Sequence, residues 1–218
     1  MTAFFRLMNR KKRYDNMKKI LFATSNAGKV REVSAIMKDV GIEVISLKDA
    51  GIHADIEENG TTFAENAMIK AKGIAALPGV QDGETIVLAD DSGLEIDYLN
   101  KEPGIYSARY MGEDTSYDIK NAELIRRLDG VEDEKRTARF VCAMAAVMPD
   151  GQEIATMGVM EGRIGHEAAG ENGFGYDPIF YLPQYKMTSA QISPEEKNRI
   201  SHRGNALRMM REEITKRL

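Results

Sequence analysis

Cysteine is nearly absent: Cys142 is the only one in 218 residues, so no internal disulfide can form and a reducing, cytoplasmic setting is expected. It sits in the apolar run FVCAMAAV without a nearby His, which marks a buried structural thiol rather than a nucleophile. Histidine is scarce too, and His53 and His166 lack the spaced companions of a zinc site. No apolar run approaches the roughly 18 residues that span a bilayer, so no membrane partner is expected. The opening MTAFFRLMNRKKRYDN has neither the apolar core nor the small-residue cleavage site of a secretory signal. Internal repeats, low-complexity tracts and interdomain linkers are missing as well.

What is present is an ordinary globular composition, 43% hydrophobic and 29% charged, with a marked charge asymmetry. Residues 1–19 hold seven Lys or Arg against one Asp, a net of +6; with −4 for the whole chain, the remainder carries −4 − 6 = −10. An acidic body disfavours a nucleic-acid backbone as partner, so any bound anion must be gripped by a local cluster. Residues 1–16 read as a basic, disordered leader, with Met17 an alternative start, and 17–218 as a single domain.

The first half alternates strand and helix signals, the pattern of an α/β fold. KILFAT (19–24) is a buried strand, and Val30, Val33, Ile36, Met37 and Val40 recur at helical spacing up to a stop at Gly41. EVISL follows as a strand. Thr62 and Glu65 form a capping box before a helix striped by Phe63, Ala67, Ala71 and Ile74, ending near Pro78. TIVLA (85–89) is a central strand that runs into DDSG, and GLEID reads as a further one. A helix is expected from about Thr115 to Leu128. TARFVCAMAAV and EIATMGVMEG then make an antiparallel hairpin about the MPDG turn. After the glycine-rich AAGENGFGYDP, Ser193-Pro194-Glu195-Glu196 caps a last helix expected to kink at Gly204.

ILFATSNAGKV resembles a phosphate loop but has Ala23 where Gly, and Val30 where Ser or Thr, would be required. Its strand end and Gly28-Lys29 helix start still offer backbone N–H groups, a helix dipole and an ammonium to one anion. Seen alone, the stretch equally suits a capped helix with a solvated Lys29. The missing hydroxyl at position 30 moves any metal elsewhere, and Asp90-Asp91 at the end of an apolar strand supplies hard oxygen ligands of the type Mg²⁺ takes. Glu57 and Glu58 are a second acidic pair able to reach the same ion; an Asp-rich turn and a solvated loop are the plainer alternatives. Lys197, His202 and Arg203 in EEKNRISHRG either neutralise phosphates and read a base edge or form a charged surface helix. In GFGYD, Gly173 and Gly175 flank Phe174, leaving that ring able to lie against a planar ligand.

Six blocks in order, ATSNAGKVRE, EENGTTFAENAMIKA, LADDSGLEID, PGIYSARYMGE, GFGYDPIF and EEKNRISHRG, make the chain from about Lys18 onward resemble the inosine triphosphate pyrophosphatase family, also called Ham1-like or RdgB-like. That resemblance implies Mg²⁺-dependent hydrolysis of the non-standard purine nucleotides ITP, dITP, XTP and dXTP to monophosphate and pyrophosphate, by a homodimer. It also implies an elongated α/β structure of two lobes around a long mixed sheet flanked by helices, with the substrate in the cleft between the lobes. Block by block, Thr24, Ser25, Asn26, Ala27, Gly28 and Lys29 would hold the triphosphate, Asp91 would be the catalytic base, and Lys29 and Lys70 would be cations of the catalytic cluster. Glu58, Asp90 and Asp91 would serve the metal. Ser92, Phe174, Gly175, Tyr176, Asp177, Lys197, His202 and Arg203 would bind the nucleotide. Ser25 replaces the family's usual glycine, and serine restricts positive φ.

Selectivity has a chemical basis under this reading. Hypoxanthine and xanthine carry an acceptor oxygen at C6 where adenine carries an amino donor, so donors from His202, Arg203 or an N–H near Tyr176 would go unpaired with adenine. Two rivals stay open: a P-loop-like phosphotransferase leaving ADP, and a non-catalytic nucleotide- or nucleic-acid-binding module that depends on the leader.

Overall fold

The computed structural model describes residues 19–38 and 42–217; the basic leader, Val40 and the stop at Gly41 lie outside the described residues. Strand β1 (Lys19–Phe22) pairs in parallel with β2 (Glu43–Ser46), Ile20 opposite Val44, and with β3 (Thr85–Ile96), Phe22 opposite Leu88. Strands β4 (Thr137–Val147), β5 (Glu153–Ile164), β6 (Phe180–Leu182) and β7 (Met187–Thr188) follow, with β5–β6 and β6–β7 antiparallel. All seven form one mixed sheet in the order β2-β1-β3-β4-β5-β6-β7. Helices α1 (Ala27–Met37), α2 (Phe63–Ala75), α3 (Tyr117–Arg127), α4 (Pro194–Ile200) and α5 (His202–Thr215) complete the α/β fold. Among the described residues no helix is long and apolar enough to cross a membrane.

The chain divides into two compact units, one of residues up to Asp90 with Ala143–Thr156 and the chain from Ala206, the other of Asp91–Cys142 with Met157–Asn205. In the first, α2 buries Phe63, Ala67, Ala71 and Ile74, the stripe read from the sequence. Its cap differs in one detail. Thr62 Oγ1 accepts the Glu65 N–H at 3.1 Å, but the Glu65 carboxylate turns to Thr61, whose N–H (2.7 Å) and hydroxyl (2.8 Å) together outbid the single donor of Thr62. The loop between β4 and β5 closes as its Pro-Asp-Gly order requires: Gly151 N–H reaches Met148 O and Met148 N–H reaches Gln152 O, both at 2.8 Å, with Gly151 at φ +83°. Cys142 is fully buried, as expected of a structural thiol.

The second unit packs around Leu94, Ile96, Leu124, Phe140, Ile179 and Phe180. Arg136 is buried within it, its guanidinium donating to Leu128 O, Ile164 O and Gly165 O at 2.6–2.8 Å. A buried cation satisfied by three carbonyls is a structural post.

Two sequence expectations are corrected. TIVLA and GLEID are one strand, β3, which continues through Asp90-Asp91-Ser92 instead of turning; Asp90 is fully buried, and its charge is met by Lys29 from α1. The break in the last helix falls at Ser201, not Gly204: Ser201 takes extended geometry (φ −67°, ψ 154°) and its Oγ accepts the Gly204 N–H at 3.0 Å, so it caps α5.

Candidate active site

In the first unit, β1 delivers the chain to Thr24 and Asn26 starts α1. Asn26 Oδ1 accepts the N–H groups of Gly28 (2.9 Å) and Lys29 (3.2 Å), and Thr24 Oγ1 accepts that of Asn26 (3.2 Å). The helix donors expected to face an anion are thus held by Asn26, because a short amide side chain at the cap reaches them without strain. Ser25 is not among the described residues with positive φ, so the turn does not need the glycine it replaces. Lys29 Nζ meets both carboxylate oxygens of Asp90 at 3.0 Å. Lys70, projecting from α2, donates to Glu58 Oε1 (2.9 Å) and to the main-chain oxygen of Asp90 (3.1 Å). Four predicted residues therefore form one alternating array, Lys29–Asp90–Lys70–Glu58. A pocket of about 790 Å³ opens beside it, lined by Thr24, Ser25, His53, Glu58 and Lys70.

Among the described residues no group of three or more His, Cys, Asp or Glu is gathered as a metal cage. Mg²⁺ does not require one, being usually held by one or two carboxylates with substrate phosphates and water completing six oxygens. Glu58 and Asp90 offer hard oxygen donors of the kind such an ion takes; Lys70 meets the Glu58 carboxylate and the Asp90 main-chain oxygen, while Lys29 meets the Asp90 carboxylate.

In the second unit, Asp91 and Ser92 are half-buried on β3, and Ser92 Oγ accepts from Arg203 at 3.0 Å. Phe174 is 37% exposed, with Lys197 Nζ 5.2 Å and Arg203 Cζ 5.7 Å from its ring centre. The His202 ring stacks on Phe140 at 4.9 Å. Asp177 is the hub of the loop: it accepts the Phe174 N–H (2.8 Å), the Ser189 hydroxyl (2.7 Å) and Lys197 Nζ (2.6 Å). Gly173, at φ +81°, leaves room for this, since a Cβ there would lie 2.2 Å from Asp177 Oδ2. The Tyr176 side chain does not present itself to a ligand. It is buried, its hydroxyl donates to Ser107 O at 2.7 Å, and burial pushes its phenol upward, so it stays protonated.

A model of the Ham1 family matches residues 20–213, a span that contains every residue of both sets. This chain belongs to the Ham1 family. It is 46% identical over 199 residues to the dITP/XTP pyrophosphatase of Clostridium perfringens (strain 13 / Type A), covering 91% of this chain and 98% of the relative. It is 50% identical over 196 residues to the protein of that name from Bacillus licheniformis, covering 89% and 96%. The solved structure of a HAM1 protein from Coxiella burnetii superposes with a TM-score of 0.80 at 39% identity, over 92% of this chain and all of that one. Within this Ham1 chain, sequence reasoning passed over Tyr117 and Asn121 of α3. Tyr117 packs edge-on to Tyr176 at 5.2 Å and Asn121 Nδ2 donates to Gly175 O at 3.1 Å. Neither stands in a motif with chemical meaning; only folding puts α3 beside the GFGYD loop.

Proposed function

We propose that this chain hydrolyses ITP, dITP, XTP and dXTP to the nucleoside monophosphate and pyrophosphate, with Mg²⁺, as a cytoplasmic homodimer. The observation that carries the reading is the identity of 46–50% over about nine-tenths of the chain to proteins named dITP/XTP pyrophosphatase. The alternating array of Lys29, Asp90, Lys70 and Glu58 supports it chemically, because a triphosphate can take over the lysines while the released carboxylates turn to a cation. Asp91 takes the proton from the attacking water as its oxygen bonds to the α-phosphorus and the α–β bridging P–O bond breaks, releasing pyrophosphate. Lys29, Lys70 and Lys197 neutralise charge that grows on the phosphoryl oxygens. A Mg²⁺ ion held by Glu58, Asp90 and Asp91 would supply further positive charge to those oxygens. Thr24 to Gly28 and Ser92 line the phosphates, Phe174 covers the base, and Arg203, His202 and the N–H near Tyr176 read its C6 oxygen. Asp177 holds the Phe174 loop in shape.

Pyrophosphate release measured across ITP, XTP, GTP and ATP, with Mg²⁺ and with chelator, tests this. ITP and XTP should be cleaved far faster than ATP, chelator should stop the reaction, and added Mg²⁺ should restore it. Comparable rates for ITP and ATP, or orthophosphate and the nucleoside diphosphate as products, would overturn it.

A further inference from the structure

Asn121 on α3 is buried, 4% exposed, yet incompletely satisfied. Its Nδ2 donates to Gly175 O at 3.1 Å, while its Oδ1 has no hydrogen-bond partner among the described residues. The amide cannot be turned over, because that would set its oxygen against the Gly175 oxygen. A buried acceptor without a donor weakens a fold; a leucine of similar shape would remove that cost while leaving the half-buried Gly175 O without its donor. What the asparagine contributes must therefore lie in the one bond it makes.

That bond controls a particular peptide. The unit from Gly175 C=O to Tyr176 N–H is planar, so pinning the carbonyl to Asn121 turns the Tyr176 N–H to the opposite side. The other restraints on the loop act elsewhere: Asp177 holds the Phe174 N–H, and the Tyr176 hydroxyl is anchored on Ser107 O. Gly175 itself, at φ +69°, has the widest backbone freedom of any residue. Asn121 is the side chain that removes it.

We propose that Asn121 is a positioning residue for purine discrimination, fixing the Gly175–Tyr176 peptide so that its N–H is a preset donor rather than a rotating one. The proposal rests on the reading of the GFGYD loop as the base-binding segment. Asn121→Leu in the full chain tests it by three measurements. Because it loses one unsatisfied acceptor and one hydrogen bond, the variant should melt within about 4 °C of the wild type. Its KM for ITP should rise about tenfold, with kcat within about twofold and the ITP-over-ATP preference reduced at least about fivefold, the scale of one lost hydrogen bond. Amide exchange at Tyr176 should quicken while exchange elsewhere holds. Failure to fold, or a melting temperature lowered by more than about 4 °C with unchanged kinetics, would make Asn121 a structural residue and overturn the proposal, as would an unchanged ITP-over-ATP ratio. A wild type inert toward ITP but with exchange at Tyr176 still quickened by Asn121→Leu sinks the hydrolase reading and leaves the hold on the peptide standing; unchanged exchange sinks that hold whatever the activity.

Discussion

Replacing Lys197 with Met removes a cation from a place where its partner cannot reach water. The ammonium lies 2.6 Å from Asp177 Oδ2, and the two side chains are 6% and 3% exposed. Breaking a buried pair from one side costs about 3–5 kcal/mol, because the remaining charge stays desolvated. Asp177 keeps the Phe174 N–H and the Ser189 hydroxyl, which places the loss at the low end, about 3 kcal/mol. At about 2–4 °C per kcal/mol for a chain of this size, Lys197→Met should melt roughly 6–12 °C below the wild type. The chain has no tryptophan, so circular dichroism is the natural probe. Adding Asp177→Asn to Lys197→Met removes the stranded charge and should recover at least about half of the loss. A single variant melting within about 2 °C of the wild type, or a double variant no more stable than the single, would refute the claim that this pair holds the loop.

Three further outcomes follow from the same geometry. Asp91→Asn should keep nucleotide affinity while kcat falls by about 10² to 10⁴, the share of a general base; wild-type turnover would remove Asp91 from that role. Arg139 chiefly, with Lys101 and Thr137, holds the Asp97 carboxyl well below the usual range. Its stabilising effect is therefore complete above the ordinary aspartate value of about 3.9 and drains away as pH falls below it, so Asp97→Asn should flatten the loss of stability between about pH 4 and pH 2. An acid-unfolding profile parallel to the wild type would contradict that assignment. Gly173→Ala should destabilise by more than about 1 kcal/mol and raise the KM for ITP, since φ is +81° and the added Cβ meets Asp177 Oδ2 at 2.2 Å; an unchanged melting temperature would show that the loop yields.

Features legible in the sequence share one property: each is decided within a few residues. Thr62 and Ser193 announce their helices because a cap hydroxyl reaches the N–H three residues on, and Pro149-Asp150-Gly151 turns the chain by its own backbone preferences. The stripe of α2 follows from helical periodicity. Where neighbours mattered, local reading failed. TIVLA and GLEID read as two strands with a turn at the aspartates left open, but β3 runs through both, and Lys29, 61 residues away, meets the buried Asp90. Ser201 breaks the last helix ahead of Gly204 because its hydroxyl caps α5, a competition that the glycine signal hides.

By itself the amino-acid sequence determined which chemical groups exist and in what order, and with them the family, the α/β alternation and the candidate acids and bases. Tertiary structure alone decided their partners: that Lys29 and Lys70 bind Asp90 and Glu58, that Asp177 and Lys197 lock the GFGYD loop, and that Asn121 grips Gly175. The reason is range. Caps, turns and periodicity act over one or two turns of chain, whereas the cost of burying a charge or an amide is set by whatever distant segment folding brings against it.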